Sequence, residues 1–196
     1  MAQEWSSSTL PYNLQEEVGK RVITEILEKV PGFKVMCVDN FSKRIVGSCL
    51  KLSDVGDLGV TTVENLMIER EPLPSLDCIY FVEPTGESWE RIKNDFRDKS
   101  NPMYQKAHLF FTSKVPDSLF AQIKQQPNLL ARLGSFVEVN IEFLSCEPQI
   151  FTTCMPVRVP TGSRRTTALS EWQTRCAGVA QGVVASPRRP RGEGTD

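Results

Sequence analysis

Three short stretches, "FKVMCVD" (33–39), "CIYFV" (78–82) and "AHLFFTS" (107–113), are mostly apolar, and they constrain the fold more than any other feature. A strand with one face in water alternates apolar and polar residues, whereas a strand buried on both faces does not. The segments that follow the second and third runs have helical spacing instead. "ESWERIKNDFRD" (87–98) places Trp89, Ile92 and Phe96 at steps of three and four. "PDSLFAQIKQQ" (116–126) puts Leu119, Phe120 and Ile123 on one side, with Pro116 expected at the first helical position. A further run, "FVEVNIEF" (136–143), alternates as a strand does. Strands alternating with helices of about ten residues predict an α/β fold whose sheet is parallel and covered on both faces.

The remaining elements fit around that frame. Leu14, Val18, Val22, Ile23, Ile26, Leu27 and Val30 trace one helical face. Asn13 suits the cap, Glu16 and Glu17 suit the positive end of the dipole, and "PG" at 31–32 stops the helix. "NFSKRIVGSC" (40–49) is expected to carry a polar turn into a weaker strand near 45–49. "LSDVGDLG" (52–59) predicts a short helix closed by Gly59, and "VTTVENL" (60–66) a β-branched strand. Pro72 and Pro74 remove backbone donors and hold the chain extended. They predict a connector crossing the end of the sheet into a buried central strand, Cys78 to Val82, which Pro84 and Gly86 terminate.

Charge and cysteine usage narrow the function classes. The 23 basic and 24 acidic side chains give a net charge of −1, which offers no electrostatic footing for nucleic acid or an anionic membrane as main partner. No apolar run approaches the ~20 residues of a membrane span. "MAQEWSSSTLPYN" has neither the basic start nor the apolar core of a secretory signal. Cysteines stand at 37, 49, 78, 146, 154 and 176 with no C-x-x-C pair, and His108 is the sole histidine. Reduced thiols of a cytosolic protein are therefore expected, and no metal site.

The charge is unevenly spread. Residues 1–154 carry ten Lys and six Arg, whereas 155–196 carry seven Arg and no Lys against Glu171, Glu193 and Asp196. This predicts a flexible N-terminus at 1–12, one α/β domain at 13–154, and an Arg/Pro/Gly-rich tail at 155–196 that is disordered rather than a second domain.

Motifs of catalysis are missing from the sequence. "VDNFSKRIVGS" after the first strand is no G-x-G-x-x-G, and neither a P-loop nor a G-x-S-x-G elbow occurs. No cofactor and no small-molecule substrate are expected. Asp39, closing the first strand, is the one acid placed for catalysis or phosphate acceptance. An acceptor needs a second acid to hold Mg²⁺, and the preceding segment offers only Glu28. A capping aspartate is the simpler reading, with a small α/β enzyme or phospho-receiver using Asp39 as the alternative. The residues read bottom-up as a binding domain.

A more specific likeness lies in "KVMCVDNFSKRIVGSCLKLSD", "GVTTVENL", "REPLPSLDCIYFVEPT" and "AHLFFTSKVPDSLF". These strings resemble the N-terminal domain of the SM (Sec/Munc-type) family, the syntaxin-binding regulators of SNARE-driven membrane fusion, and most of all its exocytic members. The likeness runs from about residue 14 to about 152, with a small length difference between 121 and 137. It implies a Rossmann-like sheet of five mostly parallel strands, no enzymatic activity, and a syntaxin-type SNARE as partner. It also implies a cytoplasmic protein recruited peripherally to fusion sites through that SNARE, without inserting into the membrane.

The resemblance implies two surfaces. One, for the closed syntaxin bundle, maps onto Asp39, Arg44, Lys51 and Glu64, with Lys43 departing from the apolar residue common beside that arginine. The other, a pocket for syntaxin's N-terminal peptide, maps onto Phe120, Leu133, Phe136 and Glu138. Members of the family run to several hundred residues, and the arginine-only tail has no counterpart at this point. A truncated first domain is therefore expected.

Overall fold

The computed structural model describes residues 13–153 and 181–183. Five strands form one sheet: β1 (Lys34–Val38), β2 (Val60–Asn65), β3 (Asp77–Val82), β4 (Ala107–Phe111) and β5 (Leu133–Glu138). Their order is β2-β1-β3-β4-β5, and every neighbouring pair is parallel. The chain steps outward from β1 to β2, then returns past β1 and fills the other side. The order therefore reverses between β1 and β3.

Alternate side chains of the apolar runs enter two separate cores. Met36, Val38, Ile79, Phe81 and Phe110 meet α1 (Leu14–Val22), α2 (Asn40–Cys49) and α3 (Leu52–Asp57). Val35, Cys37, Cys78, Tyr80, Val82, Leu109 and Phe111 meet α4 (Gly86–Asp95) and α5 (Asp117–Lys124). This double coverage is why the runs do not alternate. Central β3 is fully buried from Cys78 to Val82, as the proline-flanked string predicts.

The first helix forms as expected. Asn13 Oδ1 accepts from the backbone N–H of Gln15 and Glu16. Beyond Val22 the helix widens into a π-helical turn, Ile23–Leu27. The expected strand near 45–49 is not there, because 40–49 is helix α2. Phe41, Ile45 and Val46 turn one face into the core while Lys43, Arg44 and Gly47 face water, and Asp39 caps the start. Pro116 takes the N-cap position of α5 rather than its first turn. A short α6 (Pro127–Leu130), not foreseen, leads into β5.

β5 begins and ends earlier than 136–143. Its partner β4 stops at Phe111, opposite Glu138, and Asn140 then turns the chain with a φ of 56°. Three further strands form a small antiparallel sheet: β6 (Leu144–Glu147), β7 (Ile150–Thr152) and β8 (Gln181–Val183). Leu144 enters the first core, and the Leu14 N–H donates to Pro148 O at 2.6 Å. β8 shows structure at three residues of the segment expected to be disordered. The rest of that expectation, and the flexible 1–12 segment, lie outside the described residues. Cys37 and Cys78 are buried free thiols, Cys49 is half-buried and Cys146 exposed. Cys154 and Cys176 lie outside the described residues.

Two buried polar arrangements hold the strands in place. At the amino ends, Lys34 is 2% exposed and its ammonium donates to Val30 O (2.6 Å), Leu58 O (2.7 Å) and Gly32 O (3.3 Å). Burial pulls its pKa below the ordinary lysine value. At the second core, Arg70 forms a two-pronged ion pair with Asp95, both contacts at 3.0 Å. Tyr80 Oη donates to the same carboxylate at 2.7 Å. Burial pulls the Arg70 guanidinium down, and the hydrogen bonds and charge of Asp95 more than offset it, so it stays protonated. The proline connector lies next to this pair, with the Leu73 N–H donating to Met103 O at 2.7 Å.

Two substitutions in the second half of the sheet's packing carry a measurable cost. Arg70→Met leaves Asp95 buried without its cation and is expected to lower stability by about 3–5 kcal/mol, read from urea unfolding. Gly134→Ala would set a Cβ within 2.8 Å of both ring nitrogens of the buried His108, and about 1–3 kcal/mol of destabilisation follows. Part of that second loss should return in the His108→Ala background, where the clash is gone.

Candidate binding surfaces

The C-terminal ends of β1 and β3, where the strand order reverses, form the place where open α/β sheets commonly hold ligands. Asp39 sits there, 3% exposed. Its Oδ1 accepts from the Ser42 N–H at 2.8 Å and its Oδ2 from the Glu83 N–H at 2.6 Å. The carboxylate thus caps α2 and ties it to the end of β3. A small hollow of about 260 Å³ remains between Asp39, Phe41, Met67, Glu83 and Glu87. Burial, and after it the charge of Asp39, pushes the Glu83 carboxyl above the ordinary range. The alternative of a small enzyme or phospho-receiver working through Asp39 is not supported, because both oxygens already serve the backbone.

The other three residues of the first implied surface are spread over α2, the start of α3 and β2. Arg44 and Lys43 are exposed on α2, and Lys51 is exposed at the N-cap of α3, both helices covering the first core. Glu64 belongs to β2, in register with Cys37, and so faces the second core. It is half-buried, and its Oε2 accepts from Tyr104 Oη at 2.7 Å. Lys51 thus opens the helix that packs on β2, Glu64 lies on the other face of that strand, Arg44 stands on α2 over β1 and β3, and Asp39 is inside.

The second implied surface lies at the opposite edge. An open groove of about 580 Å³ runs between β5 and α5, with Phe120 and Phe136 as its apolar floor and Glu138, Lys114 and Asp117 at its rim. The Phe120 ring meets Phe136 edge-on at 5.6 Å, and Phe136 leans on Phe111 at 5.5 Å. Phe120 is 38% exposed, with Lys124 Nζ standing 4.3 Å from its ring centroid. Glu138 Oε1 accepts from the Val115 N–H at 2.9 Å, which fixes the turn after β4 against β5. An apolar floor beside a carboxylate can take a small hydrophobic side chain and pair a neighbouring cation.

The groove unites Phe120, Phe136 and Glu138, but not Leu133. Leu133 pairs with Ala107 at the far end of β5 and lines a separate hollow with Lys106 and Arg132. Lys114, Val115, Asp117 and Val137 are the groove residues that sequence reading missed. The signal for the first three was the "SKVPD" turn, which must lie next to whatever packs on Phe120. His108, without an evident partner in the sequence, sits between two others. Its Nδ1 is 3.0 Å from Ser135 Oγ, and its Nε2 is 3.6 Å from Asp77 Oδ2. Burial lowers the imidazole pKa, and the ring works as a strut between β3, β4 and β5.

Residues 34–186 match the Sec1 family. The chain is 40% identical over 121 residues to "Probable protein transport Sec1a" of Oryza sativa, covering 62% of this chain and 18% of that protein. It is 34% identical over 147 residues to "SNARE-interacting protein KEULE" of Arabidopsis thaliana, covering 72% of this chain and 22% of that one. Among solved structures, the Unc18–syntaxin 1 complex from Monosiga brevicollis aligns with a TM-score of 0.67 at 35% identity, over 72% of this chain and 25% of that chain. The chain thus spans a quarter or less of each of these relatives. With 153 consecutive residues matched and the same sheet shared, the chain belongs to the Sec1 family.

Proposed function

We propose that this chain binds a syntaxin-type SNARE and so regulates vesicle docking and membrane fusion in exocytic transport, as a binding module without enzymatic activity. The groove of Phe120 and Phe136 beside Glu138 carries this reading. It is exposed and apolar, and a carboxylate stands at its rim where a short basic peptide can be read. Support comes from the printed description of the Arabidopsis relative as SNARE-interacting and from the syntaxin 1 bound to the Monosiga relative. The charges of Arg44, Lys51 and Glu64 suit a polar helical bundle, to which they give register and on-rate more than affinity. No helix among the described residues is long and apolar enough to cross a membrane. Recruitment from the cytoplasm through the bound SNARE is the corresponding proposal for location.

Titration calorimetry with a synthetic syntaxin N-terminal peptide tests the reading. Binding in the micromolar range is expected, with Phe120→Ala plus Glu138→Ala weakening it at least tenfold while the far-ultraviolet spectrum stays unchanged. A chain that gives no heat with the peptide and does not compete for it removes the proposal.

A further inference from the structure

Glu64 does not stand alone at the β2 edge. Tyr104 has a single hydroxyl proton, and it points to Glu64 Oε2 at 2.7 Å. The phenol oxygen must then act as acceptor toward Arg70 Nη1 at 3.2 Å, while the Cys37 thiol can donate to that oxygen at 3.4 Å or to Glu64 Oε2 at 4.0 Å. Arg70 cannot turn away, because both of its terminal nitrogens engage Asp95 at 3.0 Å. The donor direction is therefore fixed along the whole chain, from guanidinium to phenol to carboxylate. A phenol that accepts from a cation is the stronger donor for it. Tyr104 itself is fully buried and held edge-on against Tyr80 at 6.1 Å. Burial, with Cys37 adding to it, keeps the phenol pKa above its ordinary value and the proton in place.

Only one of the two Glu64 oxygens is consumed this way. Among the described residues Oε1 accepts no hydrogen bond, and the side chain is half-buried on an edge strand. From this geometry we infer that Tyr104 is a positioning residue: it locks the Glu64 carboxylate in one orientation so that Oε1 receives a Lys or Arg side chain of a helical partner. Holding the carboxylate beforehand removes the rotamer entropy that binding would otherwise cost. The inference rests on the proposed SNARE-binding reading and adds the residue that sets the geometry of its β2-edge surface.

The full chain is tested by calorimetry against the soluble helical bundle of a syntaxin and, separately, against the N-terminal peptide. Tyr104→Phe keeps the ring and removes only the hydroxyl. It is expected to weaken bundle binding roughly three- to tenfold and leave peptide binding unchanged. Glu64→Gln should weaken the bundle at least as much, and the double variant should be no weaker than Glu64→Gln alone. Glu64→Asp keeps the charge but is too short to reach Tyr104. It should behave like Glu64→Gln, and it holds the test open if Tyr104→Phe fails to fold. Wild-type affinity in Tyr104→Phe, or in Glu64→Asp, overturns the inference while the functional reading stands. Unchanged bundle binding in Glu64→Gln overturns it as well. A wild-type chain that binds neither bundle nor peptide overturns the functional reading itself, and the inference with it.

Discussion

A guanidinium taken out of water must be paired, or the fold does not close around it. Arg70 is 6% exposed on its side chain, and its pairing with Asp95 joins segments that are far apart in sequence. Asp95 is the last residue of α4, Tyr80 lies on the central strand, and Tyr104 lies in the loop before β4. Through Tyr104 the same cluster reaches Glu64 on the edge strand. The proline segment "EPLP" follows Arg70 directly, so its stiffness lets the cluster fix the path of the connector as well as its start. Replacing the whole cluster by apolar groups of similar volume could leave stability intact. It would not leave Glu64 oriented, and for that reason the polar version of this core is the informative one.

The layout of the domain was largely legible because its strands are buried on both faces. β1, β3 and β4 announce themselves as mostly apolar runs, and α4 and α5 by the spacing of Trp89, Ile92, Leu119 and Ile123. The misreading of 40–49 came from "RIVGS", where two β-branched residues and a glycine imitate a strand end. The helical cue was the four-residue step from Phe41 to Ile45 behind a capping aspartate. β5 was misplaced because Val139 and Ile141 are buried beyond its end, where the Val139 N–H still donates to Phe111 O at 2.8 Å. They enter the first core from a turn, and alternation cannot distinguish that from a ladder.

The candidate surfaces were legible only in part, for a different reason. Their composition came from resemblance, but their geometry depends on partners far apart in sequence. Glu64 and Tyr104 are 40 residues apart, and Val115 and Glu138 are 23 apart. Nothing local in either segment encodes those contacts. Asp39 shows the converse: its position at a strand end is legible, yet its chemistry is decided by the Glu83 N–H, 44 residues away. A substitution there acts first on the cap of α2. Any loss of partner binding that follows passes through the fold.

The placement of the two surfaces on opposite edge strands sets a ruler. Four strand spacings of about 4.8 Å separate β2 from β5, so Glu64 and the Phe136 groove lie roughly 20 Å apart across a rigid sheet. A partner that touches both must span that gap around the end or face of the domain, and a chain of only six extended residues is barely long enough to do so. A longer tether turns the second contact into an intramolecular one, with an effective concentration that peaks when its mean reach matches the span. On the proposed SNARE-binding reading, spacer length between a peptide motif and a folded bundle is then a selectable property of the partner, read by the width of a five-stranded sheet.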